Sequence, residues 1–205
     1  KILDLSILFN EQIILVVPDF LSWLITVIWF VGLINAINWI DGLDGLAAGI
    51  IIIASFVFLI IHLASQDYGN ALIASLLLGI CSSFFIYNKY PSKIIMGDGG
   101  SYLLGFAIAS ISLIGDHSFN SSIGGSYKLL EILIPILILF LPIADMAYVI
   151  SSRICVMKSP FYPDRKHIHH RFLNNGLKHS DAVIKINFLT LPTSFIALYI
   201  KFAMS

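Results

Sequence analysis

Of the 205 residues, 58% are apolar and only 12% charged, and 12 Lys and Arg balance 12 Asp and Glu. Together with a mean hydropathy of +0.92, this excludes a soluble enzyme domain, a disordered chain and a nucleic-acid binder, since soluble domains carry roughly 25% charged residues and a balanced charge offers no field to a polyanion. What remains is an all-α integral membrane protein, read as a single multi-pass domain over residues 1–205, with Cys81 and Cys155 too few for a disulfide framework.

Asp4 and Glu11 interrupt the first sixteen residues, which therefore do not resemble a signal peptide. A bilayer-spanning helix needs about 20 mostly apolar residues. About six stretches qualify, near 17–40, 45–63, 71–87, 101–114, 129–151 and 182–202, the fourth being short. Their runs are continuous rather than alternating, which argues against a barrel. Six spans put the segments near 41–44, 88–100 and 152–181 on one side and those near 64–70 and 115–128 on the other. The first side holds Lys89, Lys93, Arg153, Lys158, Arg165, Lys166, Arg171 and Lys178, against Lys128 on the second, plus Lys1 and Lys201 near the termini. The positive-inside rule makes the first side cytoplasmic.

Three polar clusters fall on that side. In the first, Asn35, Asn38, Asp41 and Asp44 recur every three residues, with Gly42 and Gly45 each following an aspartate. Side chains three apart sit on adjacent helical turns, so two carboxylates here could hold Mg²⁺ or polarise a nucleophile; Asp44 could instead be a helix N-cap. In the second, Gly97-Asp98-Gly99-Gly100-Ser101 leads into a span. A glycine-rich turn at a helix start presents N–H groups to phosphate, and an aspartate there could hold a bridging cation. The plainer alternative is a turn capped by Ser101. The third, Pro160-Phe-Tyr-Pro-Asp-Arg-Lys-His-Ile-His-His-Arg171, concentrates donors suited to phosphate oxygens. Zinc binding by its histidines and a basic loop facing anionic lipid are the alternatives. Asp145, inside the fifth span, could be a buried partner for one of these groups. His62, His117 and His179 stand singly and read as incidental, and Asn120-Ser121-Ser122 as a chance glycosylation match.

Taken together, Asn-x-x-Asn-x-x-Asp-Gly-x-Asp-Gly-Leu, Met-Gly-Asp-x-Gly-Ser and Pro-Asp-Arg-x-His-Ile-His-His-Arg resemble the motifs of the polyprenyl-phosphate N-acetylhexosamine-1-phosphate transferases, in family order and over residues 29–185. The His-Ile-His-His-Arg run is similar to the WecA and TagO branch, which starts O-antigen, lipopolysaccharide and teichoic acid synthesis, rather than to the related MraY of peptidoglycan synthesis. The resemblance implies transfer of an N-acetylhexosamine-1-phosphate, GlcNAc-1-phosphate by preference, from a cytoplasmic UDP-sugar to undecaprenyl phosphate in the plasma (inner) membrane, with release of UMP. It implies Mg²⁺, with Mn²⁺ as a substitute, membrane lipid around the spans, and no nucleic-acid partner; a homodimer is compatible with it. Carried over residue by residue, Asp98 is the Mg²⁺-associated aspartate. Asp41 and Asp44 line the nucleotide-sugar and metal site, Asp44 as a second metal candidate. Asn38 and Asn88 lie near the nucleotide, and Arg165, His167, His169, His170 and Arg171 belong to the loop that closes over the diphosphate.

One departure stands out: the family carries an Asp-Asp motif on an earlier cytoplasmic loop, and this sequence contains no Asp-Asp pair. The 205 residues by themselves are accordingly expected to be inactive. Three rival readings predict different observations. The peptidoglycan branch would prefer UDP-MurNAc-pentapeptide as donor. A transporter would place its polar residues near the bilayer midplane and move substrate without forming UMP. An inactive paralogue would bind nucleotide without turnover.

Overall fold

The computed structural model describes residues 2–4, 14–16, 18–113, 126–160, 162 and 166–203, with side chains over 18–113, 132–160, 162 and 166–203. Arg165, His117 and the Asn120 triplet lie outside the described residues. A small antiparallel ribbon, β1 (Ile2–Asp4) and β2 (Ile14–Val16), pairs Leu3 with Leu15. Helices make up the rest: α1 (Asp19–Ile40), α2 (Leu46–Ala64), α3 (Tyr68–Asn88), α4 (Gly97–Leu113), α5 (Ser126–Ile138), α6 (Phe140–Ile154), the short α7 (Ile168–Asn174) and α8 (His179–Ala203).

Among the described residues, α1, α2, α3 and α8 are long and apolar enough to cross a membrane, and α5 with α6 makes a fifth span if the bent pair counts as one. Two of the about six expected stretches take a form of their own. The fourth, α4, has 17 described residues, about 25 Å of helix. The fifth is broken, with α6 turning by 81° from α5. Pro142 explains the break, because it has no N–H to give Ile138 O, so the ladder fails where Leu139 separates the two helices.

α2 is the central helix, with Leu46, Ile50 and Ile51 fully buried. It packs against α3 along one side and α8 along another, while α1 packs on α4 and α6. Lipid is the natural solvent for the outward faces, which carry Phe20, Trp23 and Ile28 on α1 and Phe188, Phe195 and Tyr199 on α8. With no water to expel between helices, close approach and polar links hold them together. Trp29 Nε1 donates to Ser112 Oγ at 2.9 Å, joining α1 to α4. Where these two helices cross, a Cβ on Gly105 would lie 2.7 Å from Ile34 Cα. Gly105→Ala should therefore wedge backbone from backbone and destabilise the protein by about 1–3 kcal/mol, as overpacking generally does. The thermal midpoint in detergent reads this directly, and an unchanged midpoint would mean the helices do not cross there.

A second apolar cluster sets Ile40, Leu43, Leu46 and Ala47 against Ala182, Val183 and Ile186 of α8. It forms a floor beneath the α1–α2 turn, so the polar clusters are mounted on packed helix ends.

Candidate active site

The α1–α2 turn is the pivot. α1 ends as Gly42 N–H turns back to Ile40 O at 2.8 Å. Gly45 sits at the N-cap of α2 with φ +81°, a left-handed conformation that glycine adopts freely. Gly45 thus holds the position read as a candidate role for Asp44. Asp44 instead fastens the turn to two other segments. Its N–H donates to His179 Nε2 at 2.9 Å, and its Oδ2 accepts the Ser92 N–H at 3.2 Å. His179, taken from sequence as incidental, also stacks on Tyr90 with ring centroids 4.4 Å apart. Its place at the mouth of the last span, on the motif side, was the available signal. Asn88 is buried at the end of α3, where Oδ1 accepts the Gly45 N–H and Nδ2 donates to Ile94 O, both at 2.9 Å. It clasps the turn to the α3–α4 loop.

The second cluster meets the first through Asn38. Its Nδ2 donates to Asp98 Oδ1 at 3.1 Å and to Ser101 Oγ at 2.9 Å. α4 begins at Gly97, so Ser101 lies in its second turn rather than at the cap, and Asp98 stands exposed in the first turn. Asn35 is spent on its own helix, donating to Val31 O at 2.7 Å.

The third cluster docks from above on α7. His169 is buried, and its ring occupies the space beside Gly42: a Cβ there would fall 2.2 Å from His169 Nε2. His169 Nδ1 is buried without a hydrogen-bond partner. His170 is tilted against it at 4.3 Å, and His167 is parallel to it at 5.7 Å. Trp39, which carried no signal in the sequence beyond its place between Asn38 and Asp41, ties this cluster to the first. It meets the His167 ring edge-on at 5.8 Å and carries the Arg153 guanidinium 5.1 Å above its face. Arg171 projects instead over Tyr148 of α6, at 5.0 Å.

Burial raises the Asp41 carboxyl to about 6, with repulsion from Asp98 and then Asp44 adding to it. Burial likewise drives the His169 imidazole down to about 4, helped by His170 and His167. The two groups act on stability with opposite sign. Between about pH 4 and 6 the folded chain holds a proton on Asp41 that the unfolded chain has released, so this contribution falls as pH rises. The unfolded chain takes up a His169 proton near 6.5 that the folded ring refuses down to about 4, so that contribution grows with pH. Asp41→Asn removes only the falling part. The thermal midpoint of the variant relative to wild type should therefore climb from about pH 4 to 6 and level off above it. A pH-independent difference would mean that the folded protein does not raise the Asp41 carboxyl.

Asp41 feels the like charges of Asp98 and Asp44, and carboxylates are donors suited to a hard cation. Among the described residues no three His, Cys, Asp or Glu side chains are grouped as a ready ligand set. That holds for the carboxylates as it does for the histidines. Mg²⁺ asks less, since it is commonly held by one or two carboxylates together with substrate phosphates and water.

Comparison with known proteins adds to this geometry. Residues 1–116 match the family model of glycosyl transferase family 4. A Bacillus subtilis protein named "Probable undecaprenyl-phosphate N-acetylglucosaminyl 1-phosphate transferase" is 41% identical over 189 residues, covering 89% of this chain and 50% of its own length. The decaprenyl-phosphate N-acetylglucosaminephosphotransferase of Mycobacterium tuberculosis is 33% identical over 177 residues, 80% of this chain and 44% of the relative. The phospho-N-acetylmuramoyl-pentapeptide-transferase of Lactiplantibacillus plantarum is 36% identical over a shorter 108 residues, 53% of this chain. The chain spans about half the length of the first two relatives.

Proposed function

Since the chain belongs to glycosyl transferase family 4, we propose that the protein transfers N-acetylglucosamine-1-phosphate from UDP-N-acetylglucosamine to undecaprenyl phosphate at the cytoplasmic face of the plasma membrane, releasing UMP. The observation that carries this reading is the convergence of Asp41, Asp44 and Asp98 with the His-rich α7 on one end of the helix bundle. The contacts are Asn38 to Asp98 at 3.1 Å and His169 against Gly42. The names of the relatives support the sugar and the lipid phosphate. The excess of Lys and Arg on the loops of this end supports its facing the cytoplasm.

The transfer exchanges one phosphoanhydride for another: the bond to UMP breaks, and a bond between the lipid phosphate and the sugar phosphate forms. Such a reaction calls for positioning and charge compensation more than for covalent help. Asp98 and Asp44 would hold Mg²⁺, whose chemistry is to neutralise phosphate oxygens. Asn38 orients Asp98 through its amide, holding one carboxylate oxygen against the end of α1. His169, kept neutral by burial, and its neighbour His170 can donate to diphosphate oxygens. The apolar helix faces keep the isoprenoid in lipid while its phosphate stays at the boundary.

The test is UMP release by the protein expressed from its own coding sequence in membranes, with undecaprenyl phosphate as acceptor. UDP-N-acetylglucosamine should support turnover, UDP-MurNAc-pentapeptide should not, and EDTA should abolish the reaction until Mg²⁺ is restored. Preference for the pentapeptide donor would move the protein to the peptidoglycan branch. Nucleotide binding without UMP would make it a binding relative only.

A further inference from the structure

Asp145 lies outside all three motifs, on α6 just beyond the Pro142 break, and is 7% exposed. A buried carboxylate is costly unless its oxygens are satisfied, and here both are. Oδ2 is 2.8 Å from His167 Nδ1, and Oδ1 accepts the Ile168 N–H at 2.7 Å. One side chain thus grips two successive residues where α7 starts, a side chain and a backbone amide together. Ile168 N–H is one of the donors a helix start leaves without an internal partner, and His167, at the N-cap, makes no cap bond with its own side chain.

We propose that Asp145 is a positioning residue that sets the His-rich segment for donor binding by fixing the tautomer of His167 and the start of α7. A carboxylate only accepts hydrogen bonds, so His167 Nδ1 must carry the proton that faces it. With that bond made, the His167 ring stands edge-on to Trp39 and parallel to His169. His169 then drops into the space left by Gly42. The line Asp145, His167, His169, Gly42 runs from the bent sixth helix to the α1–α2 turn, so the broken span serves to present one anchor at the site. The kinetic part of this inference rests on the transferase reading; the geometric part does not.

D145N separates tautomer from packing. Its amide oxygen can still take the Ile168 N–H, but its NH₂ now faces His167 Nδ1 and demands the opposite tautomer. D145N and H167Q should each lower kcat/KM for the UDP-sugar about 10–100-fold, as loss of an orienting partner does. The double variant should be no worse than the poorer single one, because both remove the same link. KM for the lipid phosphate should stay at the wild-type value. Additive losses, an equal loss on the lipid side, or wild-type kinetics in D145N would overturn the proposal. Hydrogen exchange over residues 166–174 needs no turnover. D145L, which removes both acceptors, should speed exchange at the Ile168 amide at least about tenfold, and unchanged exchange would overturn the anchor. If the wild-type protein transfers no sugar phosphate, the function is wrong while the exchange result still decides the role of Asp145.

Discussion

Asp98→Asn is expected to lower kcat by on the order of 10³-fold while leaving the fold and the UDP-sugar KM nearly unchanged, since preorganised charge at the reacting phosphates is a large share of catalysis. The substitution is nearly isosteric. Its amide oxygen can still accept from Asn38 Nδ2, which lies 3.1 Å from Asp98 Oδ1, and Ser101 Oγ can still donate to the residue 98 carbonyl at 3.1 Å. What disappears is one negative charge. That charge also presses on Asp41, so the same variant should return the Asp41 carboxyl toward the ordinary range, to an extent limited by burial, the larger cause. Turnover at saturating donor, thermal midpoint in detergent and the pH dependence of that midpoint together check the claim. Near-wild-type turnover would remove Asp98 from the reacting centre.

Gly42→Ala should be the most damaging single methyl at the site. The new carbon would lie 2.2 Å from His169 Nε2 and 2.6 Å from Cε1, well inside contact distance. The ring cannot yield by a few tenths of an ångström, because it is 3% exposed and faces His167 and His170. It must leave its seat, at about 1–3 kcal/mol by the usual cost of overpacking. If that cost falls wholly on the donor-bound state, kcat/KM for the UDP-sugar drops about 5–150-fold, at 1.4 kcal/mol per factor of ten. A displaced His169 regains water, so its imidazole, held down to about 4 in the native seat, should titrate nearer its usual value in a histidine NMR experiment. His169→Ala removes the obstacle. Adding Gly42→Ala to that background should cost little more, and full additivity would show that the two residues do not touch.

Much of the site was legible from residues alone because its parts are local. Asn38, Asp41 and Asp44 share a helix end and a turn, and Gly97 with Asp98 opens α4, so spacing sufficed to group each set. Asp145 was legible as a buried acid in need of a partner, because an isolated charge inside an apolar span is otherwise too costly. Its partner, twenty-two residues further along and beyond the end of α6, was not. His179 and Tyr90 were missed for the same reason, since a single His or Tyr at a span end acquires meaning only when Asp44 and the α3–α4 loop fold against it. The 81° break was equally hidden. Hydropathy averages over Pro135 and Pro142, whereas the lost hydrogen bond acts at one carbonyl.

Sequence by itself determined the helical membrane class and the three polar clusters, because hydropathy and residue chemistry are properties of the chain taken piece by piece. Only the tertiary structure decided that Asn88 is a clasp, that His169 rests in the hollow of Gly42, and that Asp145 holds His167. Each of those facts is a contact between segments far apart in sequence, set by helix crossings and bends that no local pattern encodes.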